Sequence, residues 1–534
     1  MRAADVIARR SFEAGIRHAF GIPGGEILTL IDALAAAGID FVTTRHETAA
    51  GLMAEGSAAH TQAPGLLVVT LGPGVSNAVN AVANAYLDRV PMLVVSGAIE
   101  CGLRANYTHQ VLDQAALLRP VCKSSLVAES GAVDATIQHA LALAMQHPRG
   151  PVHIDLPMDV AVREERLTHV PPETAATPLD EHTLDLASDW LRRAQRPLAI
   201  AGLEAVEEVV ANELAALLQA LEVPLLTTYK AKGVLDEQSP RCIGAIGLSP
   251  RADTIAAPLF DAADVVLLVG YDPVEMRARY RQPFATHTRV IELAACERTH
   301  GMHSASLTLV GDLTRSLRAL RSRIEDRPPA ARWRDREPQL AGEALRCAFA
   351  SKAGFSPETV AETLNRIVPA DMRMTVDTGA HRILLSQLFR ARAPGQLLQS
   401  NGLCTMGYAV PAAIGLALAS RRRVVAVTGD GGFDMVAGEL ATLRDLDLPV
   451  TVVVFDDQSL ALIDEKQRSA GLERRAVWLG ATDHAAVARA FGGHGVCVGN
   501  TGALTAALRE ALESSNGFSV ISCRLERGAY RDLL

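Results

Sequence analysis

Two acidic residues stand where they could hold a hard cation against a phosphate. Asp430 lies in Gly429-Asp430-Gly431-Gly432, directly after the apolar run Val424 to Thr428 and before a helical stretch expected over Asp434 to Leu446. In open α/β sheets, ligands bind at such strand ends. Glycines there let backbone N–H groups approach a phosphate, a following helix N-terminus favours anions, and the carboxylate offers an oxygen to a divalent ion. Asp457 lies in Asp456-Asp457-Gln458-Ser459, at the end of a second apolar run, Val450 to Phe455; the separation, 457 − 430 = 27 residues, leaves room for a helix and a returning strand. Together the two sites suit a diphosphate held through magnesium. Taken alone, the glycine run is equally a tight strand-to-helix turn with a capping aspartate.

A third carboxylate, Glu47, follows the strand Phe41 to Thr44 in Arg45-His46-Glu47 and opens a helix of small residues, Thr48 to Ala59. By itself it is a first-turn acid that complements the helix dipole. Two further glycine-rich turns, Gly21-Ile22-Pro23-Gly24-Gly25 and Gly72-Pro73-Gly74-Val75-Ser76-Asn77, follow apolar runs in the same unit. Such turns are places where backbone can line a ligand closely.

The elements that must position these residues alternate. Within 1–165, short apolar strands at Phe41–Thr44, Leu66–Thr70, Met92–Ser96 and Val152–Leu156 are separated by amphipathic helices. This is the pattern of a doubly wound parallel sheet. A Pro- and Thr-rich stretch, Thr168 to Pro178, is expected to be a linker. A second α/β unit spans 179–324, with strands at Pro197–Ala201, Val265–Gly270 and Arg289–Leu293 and no GxGxxG after its first strand. A charged segment, Glu325 to Glu337, leads to a third unit, 355–534, with strands at Met374–Asp377, Val424–Thr428, Val450–Phe455 and Phe518–Cys523. The fold class is therefore α/β, three doubly wound parallel-sheet domains, with similar first and third units flanking the middle one. At 534 residues the chain exceeds what one core serves.

Composition removes several function classes. A net charge of −8 with interspersed signs provides no field for a nucleic-acid backbone. Eight scattered cysteines without a CxxC pair argue against a zinc or disulfide framework. No apolar run approaches the roughly 20 residues that span a bilayer, so a soluble, cytoplasmic protein without a membrane partner is expected.

Taken in order, the motifs FGIPGG, RHE, TLGPGVSN, RGPVHIDLP, SNGLCTMGYAVPAAIG, GDGG and FDD resemble the thiamine-diphosphate enzymes of the acetohydroxyacid synthase and pyruvate decarboxylase superfamily over nearly the whole chain. Thr108-His109-Gln110-Val111-Leu112-Asp113-Gln114-Ala115-Ala116-Leu117 and Gly270-Tyr271-Asp272-Pro273 resemble the catabolic acetolactate synthases. The resemblance implies a pyrimidine-binding, a middle and a diphosphate-binding domain, with thiamine diphosphate and Mg²⁺ as cofactors. It implies a homodimer or homotetramer whose active sites form between subunits. Glu47 matches the glutamate that hydrogen-bonds N1′ of the aminopyrimidine, and Met406 the bulky residue beneath the cofactor, although core packing is its plainer role. Asp430 and Asp457 match the metal ligands, with the Ser459 carbonyl as a main-chain ligand. Gly24, Ala380, His381, Cys404, Gly429, Gly431 and Gly432 match cofactor-contacting positions. Gln110 matches a substrate-side glutamine and His109 its neighbour, where a solvent-facing histidine is the alternative.

The implied reaction is nucleophilic catalysis by the cofactor on a small 2-keto acid. Two pyruvates giving 2-acetolactate and carbon dioxide is the first expectation. Another 2-keto-acid decarboxylase or carboligase is the second, and an inactive cofactor-binding paralogue the third. A dehydrogenase is disfavoured by the missing dinucleotide fingerprint. Some positions depart from the common pattern: Cys404 replaces a glycine and could crowd the pocket, Asp457 replaces an asparagine, and Met158 replaces a lysine. The stretch Ser459-Leu460-Ala461-Leu462-Ile463, at the expected substrate entrance, differs from both biosynthetic and catabolic forms. Biosynthetic relatives carry FAD against the middle unit and catabolic ones do not; absence of FAD is expected.

Overall fold

The structure is a computed structural model that describes every residue except 104, 169–178, 299, 325–332, 334, 351–353, 532 and 534. The expected linker, beyond Thr168, and most of the charged Glu325–Glu337 segment lie outside the described residues.

Among the described residues, eighteen strands form three six-stranded sheets in which all pairings between neighbouring strands are parallel. The first holds β1 (His18–Gly21), β2 (Asp40–Thr43), β3 (Gly65–Val69), β4 (Met92–Ala98), β5 (Ser124–Val127) and β6 (Pro151–Pro157), in the order β2-β1-β3-β4-β6-β5. The middle sheet holds β7 (Pro197–Ala201), β8 (Leu225–Thr227), β9 (Cys242–Ala245), β10 (Val265–Val269), β11 (Arg289–Ala294) and β12 (Leu307–Val310), in the order β12-β11-β10-β7-β8-β9. The third holds β13 (Met374–Val376), β14 (Leu397–Gln399), β15 (Val424–Gly429), β16 (Val450–Asp456), β17 (His494–Val498) and β18 (Ser519–Arg524), in the order β14-β13-β15-β16-β18-β17. The first and third sheets thus share one strand order, and the middle sheet has the dinucleotide-fold order without its glycine fingerprint.

The central strands are Val-, Leu- and Ile-rich because both of their faces are covered. Met92–Ala98 and Val450–Asp456 are buried along their whole length. The first and third domains share one continuous apolar core, which runs from Val42 and Met53 through Ala413 and Ile414 to Phe433 and Val452. Its centre is the contact between helix Glu47–Thr61 and helix Ala409–Ser420. Both are rich in small residues, and this lets their backbones approach. A Cβ on Gly56 would lie 2.0 Å from the Ala412 carbonyl oxygen, and one on Gly415 would lie 1.9 Å from that of Met53. The middle and third domains share a second core. Among the described residues no helix is long and apolar enough to cross a membrane.

Candidate active site

The chain crosses from one side of β13 to the other after β14, so a crevice opens where β13 and β15 end side by side. Into it run the Thr378–His381 turn after β13, the glycine run after β15 and the Asp457–Ile463 segment after β16. One pocket is lined by Ala380, His381, Met406, Gly429, Asp430, Gly431, Gly432, Asp457 and Ser459, with Leu460, Leu462, Ile463 and Tyr530. Nine of the residues singled out in the sequence are therefore brought together.

The helix after β15 begins at Asp430, four residues before the expected Asp434. It runs Asp430–Val436, then a 3₁₀ turn at Ala437–Glu439, then a helix at Leu440–Asp445. Local propensity opposes an Asp-Gly-Gly first turn, and close packing overrides it. A Cβ on Gly432 would lie 2.7 Å from Asp377 Oδ2 and 2.9 Å from Thr428 Oγ1.

Asp430 and Asp457 are both buried. Oδ1 of Asp430 accepts from the Gly431 amide at 2.7 Å, while its Oδ2 has no hydrogen-bond partner. Oδ2 of Asp457 accepts from the Ser459 hydroxyl at 2.7 Å. Burial, followed by repulsion from Asp456, pushes the Asp430 carboxyl up to about 6. Burial, reinforced by the negative charge of Asp430, pushes Asp457 up to about 7. Two buried acids, one raised by the charge of the other and one with an orphaned oxygen, form a donor set that a divalent cation completes. The oxygen-only chemistry fits magnesium.

His381 is stacked on Phe455 with its Nε2 buried and unpartnered. Burial and the adjacent Arg382 guanidinium lower its imidazole to about 3, so it stays neutral. In the tautomer that carries its proton on Nε2, the neutral ring can donate to a phosphate oxygen.

Several residues that hold this site escaped the sequence reading. Asp377 is fully buried and accepts from the amides of Thr378 (2.7 Å) and Gly407 (3.0 Å) and from the Thr428 hydroxyl (3.1 Å), which ties the Met406 loop to β15. Its signal was an aspartate followed by Thr-Gly at the end of a strand. Tyr530, from the C-terminal segment, brings a buried hydroxyl without a partner, and no local motif marked it. Cys404 is not among the residues that line this pocket. Its φ of +59° lies in the left-handed region that favours glycine, and its Sγ turns to the Asn401 carbonyl (3.2 Å) and Arg382 Nη2 (3.4 Å).

The N-terminal residues lie apart from this pocket. Glu47 is the first residue of its helix, one residue earlier than expected, and is buried with Oε2 accepting from Asn77 Nδ2 at 3.0 Å. The backbone that presents it is pinned by the third domain, since Glu439 Oε1 accepts from the amides of Arg45 (2.9 Å) and His46 (3.1 Å). Gly24 packs against Thr70, where a Cβ would come within 2.1 Å of Cγ2. Gly72 takes φ +65° and abuts the carbonyl of Gln110, which lines a second cleft with Leu71, Ile99, Val111 and Asp155. His109 is exposed and meets only the edge of Tyr107 among aromatic rings.

Three family profiles match the chain in order: the N-terminal TPP-binding domain of thiamine pyrophosphate enzymes over residues 1–117, the central domain over 184–320 and the C-terminal TPP-binding domain over 377–523. The isozyme 3 large subunit of acetolactate synthase from Escherichia coli is 30% identical, with 96% of this chain and 92% of that one aligned. The chain belongs to the thiamine pyrophosphate enzymes. Other members of the family include the catabolic acetolactate synthase of Raoultella terrigena, 30% identical over 99% of this chain and 95% of its own. A probable 2-ketoarginine decarboxylase of Pseudomonas aeruginosa is 31% identical over 92% and 88%. As a thiamine pyrophosphate enzyme the chain uses thiamine diphosphate with Mg²⁺. The unsatisfied Asp430 oxygen and His381 nitrogen are consistent with that pair of ligands.

Proposed function

We propose that the chain is an acetolactate synthase that condenses two pyruvates into 2-acetolactate with loss of carbon dioxide. The observation that carries this reading is the wall of the pocket. Beside the Asp430–Asp457 pair it is closed by Leu460, Ala461, Leu462 and Ile463, side chains that suit the methyl group of pyruvate. The nearest acid on that helix, Asp464, is buried in an ion pair with Arg474 and is not free to greet a cationic side chain.

When bound, the cofactor supplies the nucleophilic carbon and accepts the electrons released with carbon dioxide. Around it Asp430, Asp457 and the Ser459 carbonyl would hold the magnesium, and His381 with the amides of Gly431 and Gly432 would hold the phosphates. Met406, kept in place by Asp377 through Gly407, would support the cofactor. Glu47 would hold a proton toward the pyrimidine, and Gln110 would face the substrate. All side chains found lining the phosphate pocket come from the third domain and the tail that follows it, whereas Glu47 and Gln110 belong to the first. This separation supports a homodimer in which Glu47 of the partner subunit completes each site.

Incubation with pyruvate, thiamine diphosphate and magnesium is expected to yield a product that acid converts to acetoin. Carbon dioxide with aldehyde as the only products would refute carboligation. The kinship to a probable 2-ketoarginine decarboxylase favours a second reading, a decarboxylase of a longer 2-keto acid. Carbon dioxide release from 2-ketoarginine but not from pyruvate would establish it instead.

A further inference from the structure

The middle domain carries a cluster that decarboxylation leaves unused. Glu292 lies on β11, and His300 and His303 lie on the segment that follows it. One ligand atom from each falls within 4.8 Å of the other two. His303 is buried, with Nε2 3.3 Å from Glu292 Oε1. Its ring packs against Tyr271 at 5.4 Å and against His300 at 4.7 Å between centroids, which orients both imidazoles without consuming their nitrogens. His300 Nδ1 accepts from the Met302 amide at 3.2 Å, and this leaves Nε2 for another partner.

Both His300 Nε2 and His303 Nδ1 are buried and have no hydrogen-bond partner. An unsatisfied buried polar atom costs about 1–3 kcal/mol; His303 meets Glu292 through its other nitrogen, Nε2, so the unfilled His300 Nε2 is the atom that points to a missing partner. Charge favours a cation as well. Glu204, Asp272 and Glu292 gather around the single guanidinium of Arg298 at 2.8, 3.2 and 3.8 Å, and Arg89 adds one more positive charge at 2.9 Å from Asp272. Three carboxylates against two guanidinium groups leave a negative balance.

We propose that Glu292, His300 and His303 bind a divalent transition-metal ion, zinc or one of similar preference, at a site separate from the magnesium of the active site. Two imidazoles and one carboxylate suit zinc, cobalt or nickel and not magnesium, which prefers an all-oxygen shell. Bonds of 2.0–2.1 Å in a tetrahedral shell place ligand atoms about 3.3 Å apart, so a small rotation of His300 brings the set together. Of the three ligands, His300 also lines a cleft with Asp272, Cys296 and Arg298, from which water could supply a fourth ligand. The ion ties the 300–303 segment to β11.

The test uses the holoenzyme, saturated with thiamine diphosphate and magnesium, and titrates it with Co²⁺ as a coloured probe. One equivalent per chain is expected to bind with the visible absorption of a tetrahedral site, to raise the unfolding temperature, and to be displaced by Zn²⁺ but not by excess Mg²⁺. His300→Gln and His303→Asn should each weaken Co²⁺ by about tenfold or more, whereas Asp457→Asn should leave the absorption unchanged. Absence of the absorption in the unaltered protein overturns the proposal. So does a signal lost in Asp457→Asn but retained in the histidine variants. Should buried His303→Asn fail to fold, His300→Gln, at the less buried position, decides alone, and unaltered Co²⁺ affinity there overturns the proposal.

Discussion

The two buried acids of the phosphate pocket make cofactor loading depend on pH in a calculable way. Without a cation they release their protons near 6 and 7 as a pair. Metal binds only the doubly ionised form. At pH 8 about nine-tenths of the pair is doubly ionised, and at pH 6 about one-twentieth, so magnesium-dependent affinity should fall about 20-fold over those two units. In Asp457→Asn a single acid near 6 remains, and the fall should shrink to about twofold. The cofactor's own protonation is common to both proteins, so their difference isolates the carboxylates. Isothermal titration of thiamine diphosphate with saturating magnesium at pH 6, 7 and 8 measures it, and buffers of different ionisation enthalpy count the protons released. The same raised values make the metal-free fold lose stability as pH climbs from the ordinary aspartate range through 6 and 7, because the folded state holds protons that the unfolded chain has shed. Bound magnesium should therefore raise the unfolding temperature more at pH 8 than at pH 6. Equal pH dependence in the two proteins, or magnesium stabilisation that does not grow with pH, would refute the view that Asp430 and Asp457 share one cation.

Glu47→Gln should keep cofactor affinity within about twofold yet lower turnover by about 10² or more; wild-type turnover would remove Glu47 from the proton path. Gly415→Ala drives a methyl group to 1.9 Å from the Met53 carbonyl oxygen, and overpacking of that kind should cost about 1–3 kcal/mol or more, which chemical denaturation would detect. Burial and the nearby charge of Asp88 raise Glu55 to about 8, so it is protonated in the folded chain at neutral pH. Between about 4.5 and 8 the folded chain keeps this proton while the unfolded chain has shed it, so stability falls as pH rises through that window. Glu55→Gln should therefore gain on the parent by about 1.4 kcal/mol per pH unit across that window; parallel stability curves would contradict the assignment.

The chemistry-bearing turns were legible in the sequence because each is local: a glycine run or an acid directly after an apolar strand. Asp430 and Asp457 line one pocket for that reason, and Ala380 and His381, marked only by the family resemblance, line it with them. What escaped depends on distant chain. Tyr530 lies 530 − 457 = 73 residues beyond the nearer metal-site acid and arrives only because the tail folds back. Asp377 and Glu439 act by accepting backbone amides from segments that sequence proximity does not reveal. The strands missed include the edge strands β5, β9, β12, β14 and β17, together with the short β8. Partly polar strands such as Ser124–Val127 give no clean apolar run, because one of their sides is not covered by a neighbour. The helix start at Asp430 was misplaced because close packing around Gly432, and not helix propensity, decides it.

Glu439 follows the Asp430–Val436 helix by three residues and grips the turn that presents Glu47. In a two-fold assembly, the domain that clasps one cofactor therefore steers the acid intended for the other. In the dimer proposed above, a change at Glu439 would therefore reach two cofactor sites at once.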